Sequence, residues 1–228
     1  MNNLDYLESK EKDKRSFFSI YWSIVKREHR IIFTFFIRND HNLLFIKFMR
    51  FLFLVCTDMA MNVFFFTDDS MHKIYLSYGK YDFFQQIPQA IYSLAVSQAI
   101  EVFICFLSLT DKHYYQIKNL NLNKSEQDNK KYEIFRVLKC IRLKLVGFII
   151  FTFLFFGFYW YLVTVFCAVY KNTQLIFIKD FITSFITGLV YPFILYLSPS
   201  ILRIISLRTC KKRNLGFVYK LSDIIPIF

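Results

Sequence analysis

The chain has 228 residues, a formal net charge of +12, and is 55% hydrophobic and 21% aromatic, with 30 Phe and 15 Tyr. That apolar share exceeds the roughly 45–50% of an average soluble domain, and with only 5 Gly and 4 Pro a loop-rich secreted scaffold is excluded. The charges lie in blocks between long apolar runs, so no soluble basic domain remains to present a nucleic-acid face.

The chain opens on "MNNLDYLESKEKDKR". This stretch lacks the apolar core and small-residue cleavage site of a secretory signal, so none is expected. Two apolar runs follow, Phe17–Val25 and Ile31–Ile37, split by "KREHR". Neither reaches the roughly 20 residues that cross a bilayer, and five titratable groups at the centre of one span are very unfavourable. The segment therefore reads as an interfacial helix, with Phe, Tyr21 and Trp22 dipping into the headgroups. A buried re-entrant segment is the alternative.

Four stretches are long enough to span: 44–66, 86–109, 145–170 and 181–205. The expectation is an all-α integral membrane four-helix bundle (44–205), preceded by a cytoplasmic segment with an interfacial helix (1–43) and followed by a basic cytoplasmic tail (206–228). Lys and Arg set the orientation. Eight precede Asp40, nine lie in 111–144 and six follow from Arg203, against two in each of the other connections. Both termini and the 111–144 loop are expected in the cytoplasm. Cys56, Cys105 and Cys167 fall in spans, and Cys140 and Cys210 on the cytoplasmic side. No outer-loop disulfide is then expected, and palmitoylation of the last two is a secondary reading. The sequon Asn123-Lys124-Ser125 should stay unglycosylated.

Span one carries Arg50, Asp58 and Asn62 at four- and eight-residue steps, and span two carries Gln89, Ser93, Ser97 and Glu101 at four-residue steps. Such steps put neighbours on one helix face. At about 1.5 Å per residue, Asn62 comes level with Gln89, Asp58 with Ser93, and Arg50 with Glu101. Intramembrane charges tend to pair or to face water. Two roles follow: a polar seam pairing the helices, or an ion path through Asp58 and Glu101. In span three, Gly157, Tyr161, Thr164 and Ala168 form a small-residue face for close approach of a helix, and Trp160 and Tyr161 are expected between helices. Span four offers Ser184, Thr187, Gly188 and Tyr191, with Pro192 and Pro199 as kink points.

The stretch "KKYEIFRVLKCIRLK" before span three is a basic amphipathic helix. Its Lys130, Lys131, Arg136, Lys139, Arg142 and Lys144, with Lys211, Lys212 and Arg213 of the tail, suit anionic lipid headgroups. A calmodulin-like partner is the alternative reading of the helix. Asp68, Asp69 and His72 hint at a cation, but adjacent acids fit a helix N-terminus equally and no further ligand is evident, so no metal site and no cofactor are assigned. No G-x-S-x-G, H-E-x-x-H, Gly-rich phosphate loop or Cys-x-x-Cys occurs, so no enzymatic activity is expected.

Several stretches together, "YWSIVKREHRIIFTFFIRNDHN", "FFFTDDSMHKIY", "FQQIPQAIYSLAVSQAIEVF", "FYWYLVTVFCAVYKNTQ" with "IKDFITSFITGLVYPF", and "NLGFVYKLSDII", resemble the C-terminal multi-pass region of large transmembrane surface proteins of ciliates and related protists. The resemblance covers nearly the whole chain. It implies location and topology, with a channel-like label, and no mechanism. Those proteins carry a long ectodomain before this region, so the chain reads either as a short relative or as the terminal part of a larger protein. The expected function is a non-enzymatic anchoring or assembly module in the bilayer, contacting anionic headgroups and a homo-oligomeric or larger membrane complex. A channel or transporter subunit using Asp58 and Glu101 is the alternative.

Overall fold

The structure, a computed structural model, describes residues 6–78, 83–110, 113–114, 116–117, 127–171, 173–208 and 216–224. The described residues are helical, with no strand among them. The chain divides into two compact units, residues 1–37 with 186–228, and residues 38–185.

The second unit begins with α3 (Leu44–Phe64), then α4 (Asp68–Leu76), α5 (Phe83–Ser108), α6 (Gln127–Val169) and the first half of α7 (Gln174–Leu195). Within it α3 packs against both α5 and α6. Ten of its 21 residues are buried, among them Lys47, Arg50, Thr57 and Asn62. Phe53, fully buried, meets Phe151, Phe155, Phe156 and Tyr159 of α6 with ring centroids 5.7–6.3 Å apart. Tilted and edge-on pairs of this kind add to the area they bury. A second apolar cluster joins Val63 and Phe166 to Met71 and Ile74 of α4 and to Ile176 and Phe177 of α7.

α4 follows from local chemistry. Thr67 caps it by accepting from the Ser70 amide, and Asp68 and Asp69 in the first turn complement the positive end of the helix dipole. The Asp68–Asp69 pair thus serves a helix start. α6 runs 43 residues without a break, about 65 Å. A hydrocarbon core is about 30 Å thick, so the basic amphipathic stretch and the expected third span form one helix too long for it.

Three helical stretches are long and apolar enough to cross a membrane: Ile91–Ser108, Lys131–Val169, and Gln174–Arg208 taken across a turn at Tyr196. α3, expected as the first span, is less apolar because it carries Lys47, Arg50 and Asp58. It is also the more buried helix, ten of its 21 residues being buried, whereas 28% of the α5 window and 17% of each of the others is buried.

The first unit holds α1 (Tyr6–Lys12), α2 (Phe17–Glu28), a π-helical turn (Ile32–Phe36), the end of α7, α8 (Leu197–Arg208) and α9 (Gly216–Ile224). Ser16 caps α2. One face of α2, Ile20, Ile24 and Val25, is buried with Tyr196, and Phe193 and Ile204 pack against that cluster. The other face exposes Phe18 and Trp22. The Tyr21 hydroxyl donates to the Phe193 carbonyl (3.0 Å). His29 is buried, with Nε2 3.0 Å from the Leu189 carbonyl.

Several expectations for the last two spans are corrected. Gly157, Tyr161, Thr164 and Ala168 are exposed, and a Cβ added at Gly157 or Gly188 would meet nothing within 4 Å. Among the described residues no helix approaches there. Trp160 and Tyr161 are 79% and 64% exposed and do not pack between helices. The packed face of α6 is the aromatic one, Phe148, Tyr159 and Phe166, since large rings bury more area than small residues. The expected fourth span, 181–205, is two helices. Pro192 lies inside α7 without ending it. Pro199 sits in the first turn of α8, where a missing N–H leaves no helical bond unmade.

Candidate functional site

The candidate site is the polar seam between α3 and α5. Near one end the Arg50 Nη2 lies 3.3 Å from the Glu101 carboxylate, with side chains 9% and 13% exposed. Near the other, Gln89 Nε2 donates to the Asn62 carbonyl (3.2 Å). Twelve residues separate the two contacts on each helix, so both belong to one antiparallel register. That register puts Asp58 level with Ser93 and Leu54 level with Ser97. Ser93 and Ser97 are buried and Asp58 is half-buried. The sequence-derived levels thus match the two bonded pairs, and the seam residues Arg50, Asn62, Gln89, Ser93 and Ser97 are all buried.

The seam continues beyond the residues expected for it. Lys47, 1% exposed, reaches Asp40 at 2.8 Å. A buried ammonium is tolerated only with such a partner. Its signal was the three-residue step from Lys47 to Arg50, which places both on one helix face. Thr57, wholly buried, donates to the Phe53 carbonyl (2.9 Å) and lies 3.2 Å from the Tyr159 hydroxyl of α6. Asp58 stands within electrostatic reach of that phenol. Gln89 Oε1, Ser97 Oγ and Thr152 Oγ1 are buried with no hydrogen-bond partner among the described residues. In native proteins such atoms commonly mark water or an ion.

The basic residues divide. Lys131, Arg136, Lys139 and Arg142 are exposed on α6, interleaved with exposed Tyr132, Phe135, Leu138 and Leu143. Lys144 is half-buried, its ammonium 3.9 Å from the centroid of the Phe106 ring, a cation–π contact. The Lys130 side chain and Lys211, Lys212 and Arg213 lie outside the described residues, as do Cys210 and the sequon at Asn123. Asp68, Asp69 and His72 do not assemble a metal centre; among the described residues no three His, Cys, Asp or Glu cluster. Asp68 instead accepts from the Tyr170 hydroxyl. That carboxylate pushes the phenol above its ordinary range, because ionisation would set two anions side by side.

Sequence reading missed a second polar cluster, within the first unit. Asp13 takes a two-pronged contact from Arg15 (2.7 and 2.6 Å), which holds its carboxyl below the usual range. Arg203 Nε lies 4.0 Å from the same carboxylate, and its Nη2 donates to the Tyr219 hydroxyl (2.7 Å). Ser9 Oγ is also 2.7 Å from that hydroxyl. Ser9, Arg203 and Tyr219 are nearly inaccessible. These contacts fasten α1 to α8 and α9. Arg203 falls near the end of the expected fourth span, 181–205, and nothing in its local spacing marks it as buried.

Comparison with protein-family models, with curated proteins and with solved structures finds no match to this chain.

Proposed function

We propose that the chain is a non-enzymatic membrane module, crossing the bilayer with α3, α5, α6 and α7–α8, that anchors or assembles a complex there. The observation carrying this reading is that the two cations of α3 are answered inside one chain, Lys47 by Asp40 and Arg50 by Glu101. Charges paired in this way hold helices together. The outward faces are left to large apolar side chains such as Phe153, Leu154, Trp160 and Ile194, which suits lipid or a second membrane helix. α3 crosses as the most buried helix, with the termini on the cytoplasmic side by the distribution of Lys and Arg.

A channel or transporter subunit is the second reading. It is favoured by the half-buried Asp58 and by the partnerless buried atoms of Gln89, Ser97 and Thr152, which suit a hydrated path. Reconstitution into liposomes separates the two. The anchoring reading expects no cation or proton flux above that of empty vesicles, and Asp58→Asn or Glu101→Gln changing only thermal stability. Flux that is lost in either variant, with helix content intact, defeats it.

A further inference from the structure

α6 overshoots its neighbours. Arg50 of α3 meets Glu101 of the antiparallel α5, six residues after the start of α3 at Leu44 and seven before the end of α5 at Ser108. The two helices therefore start and end at one level. α6 runs parallel to α3, since Phe53 and Thr57 meet Phe155 and Tyr159 in turn. Its Lys144 reaches the shared level, the ammonium 3.9 Å from the Phe106 ring centroid. The rest of the same unbroken helix, back to Gln127, thus projects about 25 Å past the ends of α3 and α5. On the membrane reading that level is the edge of the hydrocarbon, because the apolar stretch of α5 ends at Ser108. The headgroup layer beyond it is about 5–8 Å deep. Phe135 and Tyr132 stand nine and twelve residues before Lys144, about 13 and 18 Å along the axis. At a tilt of about 40° they are still about 10 and 14 Å from that edge, beyond the headgroups.

The projecting half carries a stripe at coiled-coil spacing. Tyr132, Phe135, Lys139 and Arg142 follow one another at steps of three, four and three residues, the spacing of alternate a and d positions. Lys131 and Arg136 then fall at flanking g and e positions. All six are exposed, Tyr132 by 72% and Phe135 by 65%. They share about 140° of the helix circumference. Ile134, Val137 and Ile141, on the other side, are half-buried. Glu133, the only acid between Lys131 and Leu143, lies outside the stripe.

We propose that this stripe docks an acidic amphipathic helix of a partner protein. Two aromatic side chains held in water call for an apolar seam opposite them. Four cations on the same face, with no acid among them, call for carboxylates at the flanking positions, where ion pairs choose the partner of a helix. A second copy of α6 brings the same cations and is repelled. Anionic headgroups carry the right charge but end short of the rings. The proposal rests on the membrane reading above and gives its assembling role a partner of defined chemistry.

The full chain in phosphatidylcholine nanodiscs is titrated with a fluorescent three-heptad peptide carrying Leu at a and d and Glu at e and g, and binding is read by anisotropy. Saturable binding is expected. Phe135→Ala should weaken it about tenfold and Lys139→Gln about threefold. Lys171→Gln, beyond the far end of α6, should leave it unchanged. Lys131→Glu/Arg136→Glu should abolish binding of this peptide and confer binding of the same peptide with Lys at e and g. Circular dichroism checks that each variant keeps its helix content. No saturable binding, equal losses in Lys139→Gln and Lys171→Gln, or charge reversal without transfer of preference each overturns the site. Displacement of the peptide by phosphatidylglycerol in the discs assigns the face to lipid, and displacement by oligouridylate assigns it to nucleic acid; either overturns the proposal. Release of the chain from membranes by alkaline carbonate defeats the membrane reading itself. Membrane retention without peptide binding defeats the docking stripe alone.

Discussion

Arg50→Met leaves the Glu101 carboxylate in a seam where its side chain is only 13% exposed. At 3.3 Å and an effective dielectric of about 20, the attraction between the two charges is about 5 kcal/mol. Desolvating both ions costs several kcal/mol each, so the net worth of the pair is small. The loss on removing one partner is not small, since the other charge stays buried: about 3 kcal/mol. Glu101→Gln should cost a comparable amount by stranding Arg50, which is 7% exposed. The double variant Arg50→Met/Glu101→Leu removes both charges and should return to within about 1 kcal/mol of the parent, a coupling of several kcal/mol. Reversible unfolding in mixed micelles, followed by circular dichroism, measures all four proteins. Single variants that each cost under about 1 kcal/mol and add in the double would refute the argument, because that is the behaviour of an exposed, screened pair.

The Asp13 cluster predicts a pH dependence with a definite sign. Its carboxyl is depressed in the fold, so its stabilisation is present above the unfolded pKa of about 3.9 and lost as pH falls through the folded value. Hydrogen exchange in α1 and α9 should therefore accelerate below about pH 4, and Asp13→Asn should abolish that acid step while raising exchange at neutral pH. An acid step that persists in the variant assigns it to another group. At Tyr170, Asp68→Asn should bring the phenol down toward its ordinary pKa of about 10, read by NMR of ring-labelled tyrosine with Tyr170→Phe as the assignment control. An unchanged titration would show that the two groups do not meet in solution.

The helix bounds of the first two expected spans were legible to within three residues, and the continuity of the basic stretch with span three was legible too. Hydropathy and periodicity act within a few turns, and those turns are all present in the sequence. The seam was also readable, because four-residue steps on two antiparallel neighbours restrict which residues stand level. The Lys47–Asp40 and Asp13–Arg203–Tyr219 contacts were harder. The first joins a helix to an irregular segment, and the second brings together residues 13, 203 and 219, with no shared period to reveal them. The Gly157 face was misjudged for the converse reason: small residues permit close approach without requiring it.

Composition, the spacing of charges and the length of apolar runs by themselves determined a helical chain with apolar stretches of bilayer length and a polar stripe on each of two helices. The tertiary structure decided which of the long helices is most buried. α3, with Lys47, Arg50 and Asp58, lies against α5 and α6, while the more apolar stretches keep most of their surface outward. Local pattern states how much of a helix is polar, but burying a charge requires a partner at the same depth, and only the folded chain supplies one.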